Sequence, residues 1–167
     1  GAERFGWEKR NAKPGARREG DWLIGMGVAT ATYPYYRMPG GAARIRLDAD
    51  GNAVVRMASH EMGMGTATAQ AQHAADRLGL PLERVRFEYG DSDMPHGTVA
   101  GGSSQTASII ATVAAAAEAL TAELLKLAGN NSPLSGLGVA EIEMRDGCLR
   151  ARTDALRHES YAAILKR

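Results

Sequence analysis

The sequence predicts an α+β fold, a mostly antiparallel sheet with two main helices packed on one face. Three observations carry this. Asp50-Gly51 sits between two short alternating runs, and Asp146-Gly147 sits between another pair, the pattern of tight hairpins. Two longer stretches, one from about Thr66 to Leu78 and one with its stripe from Ile110 to Leu127, place apolar residues at three- and four-residue steps, the period of helices with one buried stripe. No period of 20 to 50 residues repeats, although the order strand, turn, helix recurs loosely, and an α+β sandwich with the helices on one face of the sheet follows.

Residues 1–20 interleave Arg4, Lys9, Arg10, Lys13, Arg17 and Arg18 with Glu3, Glu8 and Glu19, and include Pro14 and Gly15. Such mixed charge reads as a linker or tail in solvent rather than a phosphate-binding arm. From Asp21 to Tyr36, Trp22, Ile24, Met26 and Val28 alternate with mostly small residues, so a strand is expected. Ala43 to Asp48 and Ala53 to Ser59 form the first hairpin. A helix from about Thr66 to Leu78 shows Ala71, Ala74, Ala75 and Leu78 on one face, and Gly79 and Pro81 stop it. Val85 to Tyr89 is a short strand, followed by a loop from Gly90 to Gly102. The next helix carries a stripe of Ile110, Val113, Ala117, Leu120, Leu124 and Leu127. Val139 to Met144 and Leu149 to Thr153 make the second hairpin, and His158 to Arg167 reads as a last amphipathic helix.

The composition narrows the function. A net charge of +1 gives no broad basic footprint for nucleic acid, and the longest apolar run, Ala107 to Ala117, is broken by Ser108 and Thr112, so no membrane span is expected. One cysteine, Cys148, cannot form an internal disulfide and reads as a small core residue. The chain begins at Gly1 without a charged and apolar leader, which reads as a piece of a longer polypeptide.

Two glycine turns, each opening a helix, stand out. Gly63-Met64-Gly65-Thr66 and Gly101-Gly102-Ser103-Ser104, with Thr106 beyond, let backbone approach a ligand closely, and a helix start attracts an anion. Without a lysine the first turn is no P-loop. His60-Glu61 lacks the second histidine of a zinc helix, since Met64 stands there. Gly90-Asp91-Ser92-Asp93 reads as a self-capped turn before a cation site. His96 is a loop histidine near the pocket mouth, and His73 and His158 receive no role. No residue is assigned to a metal or to catalysis.

These residues also carry a resemblance. Glu61-Met62-Gly63-Met64-Gly65 with Thr66, Thr68 and Gln72, Leu78-Gly79-Leu80-Pro81 before Glu83-Arg84-Val85, Gly90-Asp91-Ser92-Asp93, Pro95 and Gly101-Gly102-Ser103 follow in order. Upstream stand Trp7, Gly25-Met26-Gly27-Val28-Ala29 and Tyr33-Pro34-Tyr35-Tyr36-Arg37-Met38-Pro39. Together they resemble the molybdopterin-binding large subunit of the xanthine dehydrogenase and aldehyde oxidoreductase family, on its aldehyde- and isoquinoline-oxidising side. The resemblance implies that residues 21–167 are a cofactor-binding domain in which Gly63, Met64, Gly65, Thr66, Gly101, Gly102, Ser103, Ser104 and Thr106 hold molybdopterin, in its bare or cytosine dinucleotide form. It implies a molybdenum hydroxylase that oxidises aldehydes or N-heterocycles with water-derived oxygen. The expected partners are the rest of the large subunit, iron–sulfur and FAD subunits and a small-molecule substrate. The resemblance leaves the compartment open, cytoplasmic or exported to the periplasm with a partner that carries the signal. The family's catalytic glutamate belongs to a later segment, so this piece alone is expected to be inactive. Two positions depart from the family: Met64 stands where a glutamine contacts the metal centre, and Gln105 replaces a small hydroxyl residue. A non-catalytic α+β binding or assembly domain without molybdenum is the alternative.

Overall fold

The computed structural model describes residues 1–34 and 36–167. Tyr35, part of the resemblance and of the expected strand to Tyr36, lies outside the described residues. The chain divides into two compact units, Gly1–Pro34 and Tyr35–Arg167.

The first unit holds a short helix α1 (Ala2–Phe5) and a two-residue antiparallel ladder of β1 (Arg18–Glu19) and β2 (Trp22–Leu23). Among the described residues of the strand expected over 21–36, only Trp22–Leu23 form one. The reason is the lack of anything to bury it: Trp22 is 75% and Val28 78% exposed, and no described residue of this unit is buried. Alternation predicts a strand only where one face meets a core.

In the second unit the Asp50-Gly51 turn joins β3 (Arg44–Leu47) to β4 (Ala53–Arg56) in antiparallel register, with Ile45 opposite Val55. Helix α2 (Thr66–Leu78) then crosses to β5 (Val85–Glu88), which pairs with β4 in parallel, Val55 opposite Phe87. A parallel neighbour needs a crossover of this kind. Helix α3 (Gln105–Ala128) packs against α2 and β3. The chain continues through β6 (Ile142–Arg145), β7 (Cys148–Ala151) and β8 (Asp154–Ser160), an antiparallel meander, and closes with α4 (Tyr161–Leu165). Both Asp146 (φ 53°) and Gly147 (φ 71°) are left-handed, the geometry of a type I′ hairpin turn.

The α+β class is thus realised with its strands divided between two three-stranded sheets, β3-β4-β5 and β6-β7-β8. Strand β8 takes the start of what periodicity assigns to the last helix; His158, Glu159 and Ser160 belong to the strand, and α4 begins only at Tyr161, capped by Ser160 Oγ accepting from the Ala163 N–H at 3.2 Å. One core joins both sheets. Val55, Met57, Leu78, Phe87, Ile109, Val113, Leu124, Leu149, Tyr161 and Ile164 are all buried within it.

Helix α3 is long and apolar enough to cross a membrane by length and composition. Here its stripe of Ile109, Val113, Ala117, Leu124 and Ala128 is buried in the core, so it serves as the central helix. The stripe is rotated from the one read in the sequence. Leu127 is 56% exposed, whereas Thr121 is buried and donates to the Ala117 carbonyl at 2.9 Å. In so alanine-rich a helix every face is apolar enough, and closeness of approach decides which one turns inward.

Candidate functional site

The loop from Gly90 to Ser104 is pinned before it reaches the second glycine turn. The Ala42 N–H donates to the His96 carbonyl and the Ala58 N–H to the Pro95 carbonyl, each at 2.8 Å. Between them Gly97 lies so close to Ala58 that a Cβ would sit 1.4 Å from its carbonyl oxygen. On the far side, the Met38 N–H donates to Ser108 Oγ at 2.8 Å, and Ser108 Oγ donates to the Ser104 carbonyl at 2.8 Å. The start of α3 is therefore held from two directions.

The second turn itself carries Gly102 (φ 58°) and Ser103 (φ 54°) in left-handed conformation. Ser104 is fully buried and its hydroxyl is spent within the turn, donating to the Gly101 carbonyl at 2.7 Å. Ser103 is exposed and Thr106 half-buried, and neither hydroxyl has a hydrogen-bond partner among the described residues. Gln105 is 3% exposed, and neither of its side-chain polar atoms has a partner among the described residues.

The first turn is organised by a group the glycine pattern does not reveal. The Glu61 carboxylate folds back on the turn and accepts from the N–H groups of Gly63 (2.7 Å), Gly65 (3.1 Å) and Thr66 (2.6 Å). The group that caps these amides is thus a carboxylate from upstream, while Thr66 Oγ1 donates to the His60 carbonyl at 3.0 Å. An anion at a helix start is favourable, and here the chain supplies its own. Desolvation pushes the Glu61 carboxyl up, but the amides of Thr66, Gly65 and Gly63 outweigh it and hold it below the usual range. A depressed carboxyl stabilises the fold above its unfolded value, about 4.3, and that contribution is lost as pH falls through the lower folded value. Urea melts of wild type and Glu61→Gln should therefore differ most near neutral pH and converge in acid. An unchanging difference would mean that the carboxylate is not the cap.

The two turns meet at one cavity of about 390 Å³, lined by Met62, Met64, Gly101, Gly102, Ser103, Ser104, Gln105 and Thr106. Of the nine residues expected to hold a ligand, Met64 and the five of the second turn are brought together there. Gly63, Gly65 and Thr66 are outside the lining, with their amides on Glu61. Met62 and Gln105 also line the cavity without being among the nine; the sequence marks Gln105 only as a departure from the family.

Other candidates have structural explanations. Asp91 Oδ1 accepts from the Asp93 N–H at 2.9 Å, the self-capped turn that was expected. His96 is exposed and absent from the cavity wall. His73 Nε2 lies 3.1 Å from the Ile110 carbonyl, bridging α2 and α3, and burial holds its pKa down. Burial pushes the Cys148 thiol up, away from nucleophile chemistry. Among the described residues no three His, Cys, Asp or Glu side chains are grouped to hold a metal.

Against known proteins, the chain is 42% identical over 102 residues to the aldehyde oxidoreductase molybdenum-binding subunit PaoC of Escherichia coli (strain K12), covering 61% of this chain and 14% of that one. It is 30% identical over 136 residues to the carbon monoxide dehydrogenase large chain of Hydrogenophaga pseudoflava, covering 74% of this chain and 17% of that one. Among solved structures, quinoline 2-oxidoreductase from Pseudomonas putida 86 superposes with a TM-score of 0.61 at 25% identity, covering 75% of this chain and 16% of that one. The chain therefore spans about a seventh to a sixth of the length of these curated relatives. The molybdopterin cofactor-binding domain model matches residues 1–167, and the chain belongs to that family.

Proposed function

We propose that this chain is the part of a molybdenum hydroxylase that cradles the pterin cofactor, and that the intact protein oxidises an aldehyde or an N-heterocycle. The observation that carries the reading is the convergence of the second glycine turn and the methionines of the first on one cavity. The donor set suits the ligand. Unpaired N–H groups in the first turn of α3 and the unpartnered hydroxyls of Ser103 and Thr106 suit a phosphate. Met62 and Met64 offer polarisable, apolar surface to a flat ring, and Gln105 adds an unpartnered amide.

When bound, the molybdenum cofactor supplies the redox chemistry. This chain's residues bind, orient and exclude water. Gly101 and Gly102 present backbone, Ser103 and Thr106 donate, Ser104 keeps the turn closed, and Met64 shields without donating. Gly63, Gly65 and Thr66 act by holding Met64 in place through Glu61. Residues 21–167 are the cofactor-binding part and 1–20 the segment leading into it. The rest of the large subunit, with iron–sulfur and FAD subunits, carries electrons away, and the cofactor is either bare molybdopterin or its cytosine dinucleotide. The aldehyde oxidoreductase and quinoline oxidoreductase relatives support the substrate class.

The test is elemental analysis of the purified intact protein together with the fluorescence of its oxidatively released pterin. Equimolar molybdenum and pterin are expected. Absence of both overturns the reading and favours a domain with purely structural turns, the alternative to which Met64 and the self-capped first turn point.

A further inference from the structure

The sheet β3-β4-β5 turns one face to the core and carries arginines on the other. Register fixes which is which. Ile45 with Val55 and Phe87, and Leu47 with Ala53 and Val85, point to the core, so Arg44 with Arg56 and Glu88, and Arg46 with Val54 and Arg86, point outward. Val54 is 6% exposed and stands outside the core, flanked in register by Arg46 and Arg86, whose long stems suit such cover. The outward face therefore presents guanidinium groups and no exposed large apolar side chain.

Its charge is not balanced from within. Glu88 accepts from Arg56 Nε and pairs with Arg86 Nη2, each at 2.5 Å, and Asp48 lies 3.2 Å from Arg46 Nε. The hydrogen bond from Arg56 holds the Glu88 carboxyl below its usual range, with Arg86 and Arg46 adding to it against the opposing effect of burial. Arg44 has no ion-pair partner among the described residues, although it stands directly opposite Arg56. Like charges paired across a ladder weaken a sheet. Charged residues on edge strands keep sheets from joining edge to edge, but Arg56 is on the central strand, where no edge needs guarding. Arg44, Arg46, Arg56 and Arg86 against Glu88 and Asp48 thus leave a positive excess that does not serve the stability of the sheet.

We infer that this face docks an acidic segment of a partner protein, whose carboxylates pair with Arg44, Arg46 and Arg86. A planar guanidinium matches a carboxylate with two parallel bonds. Arg44 and Arg46 are two residues apart on one strand, so they rise on the same side about 7 Å apart, the spacing of alternate carboxylates along an extended chain. Glu88 serves as the brace that holds Arg56 and Arg86 in position. A second copy presenting the same face would be repelled. A permanent partner would bring an apolar centre, for which this face has no counterpart. The contact is electrostatic and transient, and it does not rest on the cofactor reading.

The experiment titrates the intact protein into a labelled oligoglutamate peptide, read by fluorescence anisotropy, beside an oligothymidylate of the same length. Wild type should bind the peptide at low salt and lose affinity steeply as ionic strength approaches about 0.15 M, where the Debye length is about 8 Å. Arg44→Gln combined with Arg86→Gln should weaken binding at least about tenfold, the scale of lost charge-assisted bonds. Lys126→Gln, which removes an exposed cation on α3, should leave binding unchanged. Arg44→Gln alone breaks no ion pair and relieves the Arg44–Arg56 opposition, so it should melt at or above wild type and still bind the peptide more weakly. No peptide binding by wild type, or equal binding by the variants, overturns the inference. Weakened binding only in variants whose melt is lowered marks a folding effect and also overturns it. Oligothymidylate held as tightly as the peptide, and lost in the same variants, overturns it in favour of a nucleic-acid face.

Discussion

Gly97→Ala should destabilise the fold by at least about 3 kcal/mol, at or beyond the upper end of ordinary overpacking. An added Cβ would lie 1.4 Å from the Ala58 carbonyl oxygen and 2.6 Å from its carbon, both backbone atoms that no rotamer change can move. Relief requires separating the 95–98 loop from the end of β4. That separation strains the bonds from Ala42 to His96 and from Ala58 to Pro95, which fix the loop. The same loop leads into the second glycine turn, so ligand retention should fall together with stability. Urea melts measure the first effect; a change below about 0.5 kcal/mol, typical of a neutral surface position, would contradict the close approach.

Gly79→Ala should cost about 2–4 kcal/mol, from two separable causes. Gly79 ends α2 in left-handed conformation (φ 57°), with the Leu80 N–H returning to the Ala75 carbonyl at 3.0 Å. A Cβ there would also meet Arg145 Cα at 2.4 Å and the Met144 carbonyl at 2.5 Å, and the Gly79 carbonyl accepts from the Gly147 N–H at 2.9 Å. Here the end of α2 rests on the β6-β7 hairpin. Asparagine tolerates the left-handed region better than alanine but still carries a Cβ. Gly79→Asn should therefore be nearly as damaging as Gly79→Ala if the hairpin contact dominates. A near-complete recovery in chemical denaturation would assign the whole cost to the backbone angle.

The elements legible in the sequence are those whose signals are local. Asp50-Gly51 and Asp146-Gly147 mark real hairpin turns, and Gly79 with Pro81 marks the end of α2, because a turn's backbone angles are set by the residues in it. What escaped depends on distant partners. Strand β8, with Leu156 87% exposed, has no clean alternation, and β7 makes it a strand. The 21–34 stretch carries the alternation, yet none of its residues is buried. Burial on α3 follows from which face α2 and the sheet approach, and alanine leaves that choice open. In the site, the glycine turns were visible as motifs, but the carboxylate of Glu61 and the orphaned amide of Gln105 are three-dimensional facts. Neither the reach of Glu61 back to three amides nor the isolation of Gln105 leaves a mark in residue spacing.

The Glu61 clasp bears on how the cavity accepts its occupant. A glycine-rich segment would ordinarily surrender much backbone freedom on contact with a guest molecule, weakening the association by that amount. With its amides already engaged, this segment settles its shape when the chain folds. Under the proposed cofactor reading, a ring would meet a wall whose backbone is already set on the methionine side, and little of what it gained from contact would go to immobilising the host.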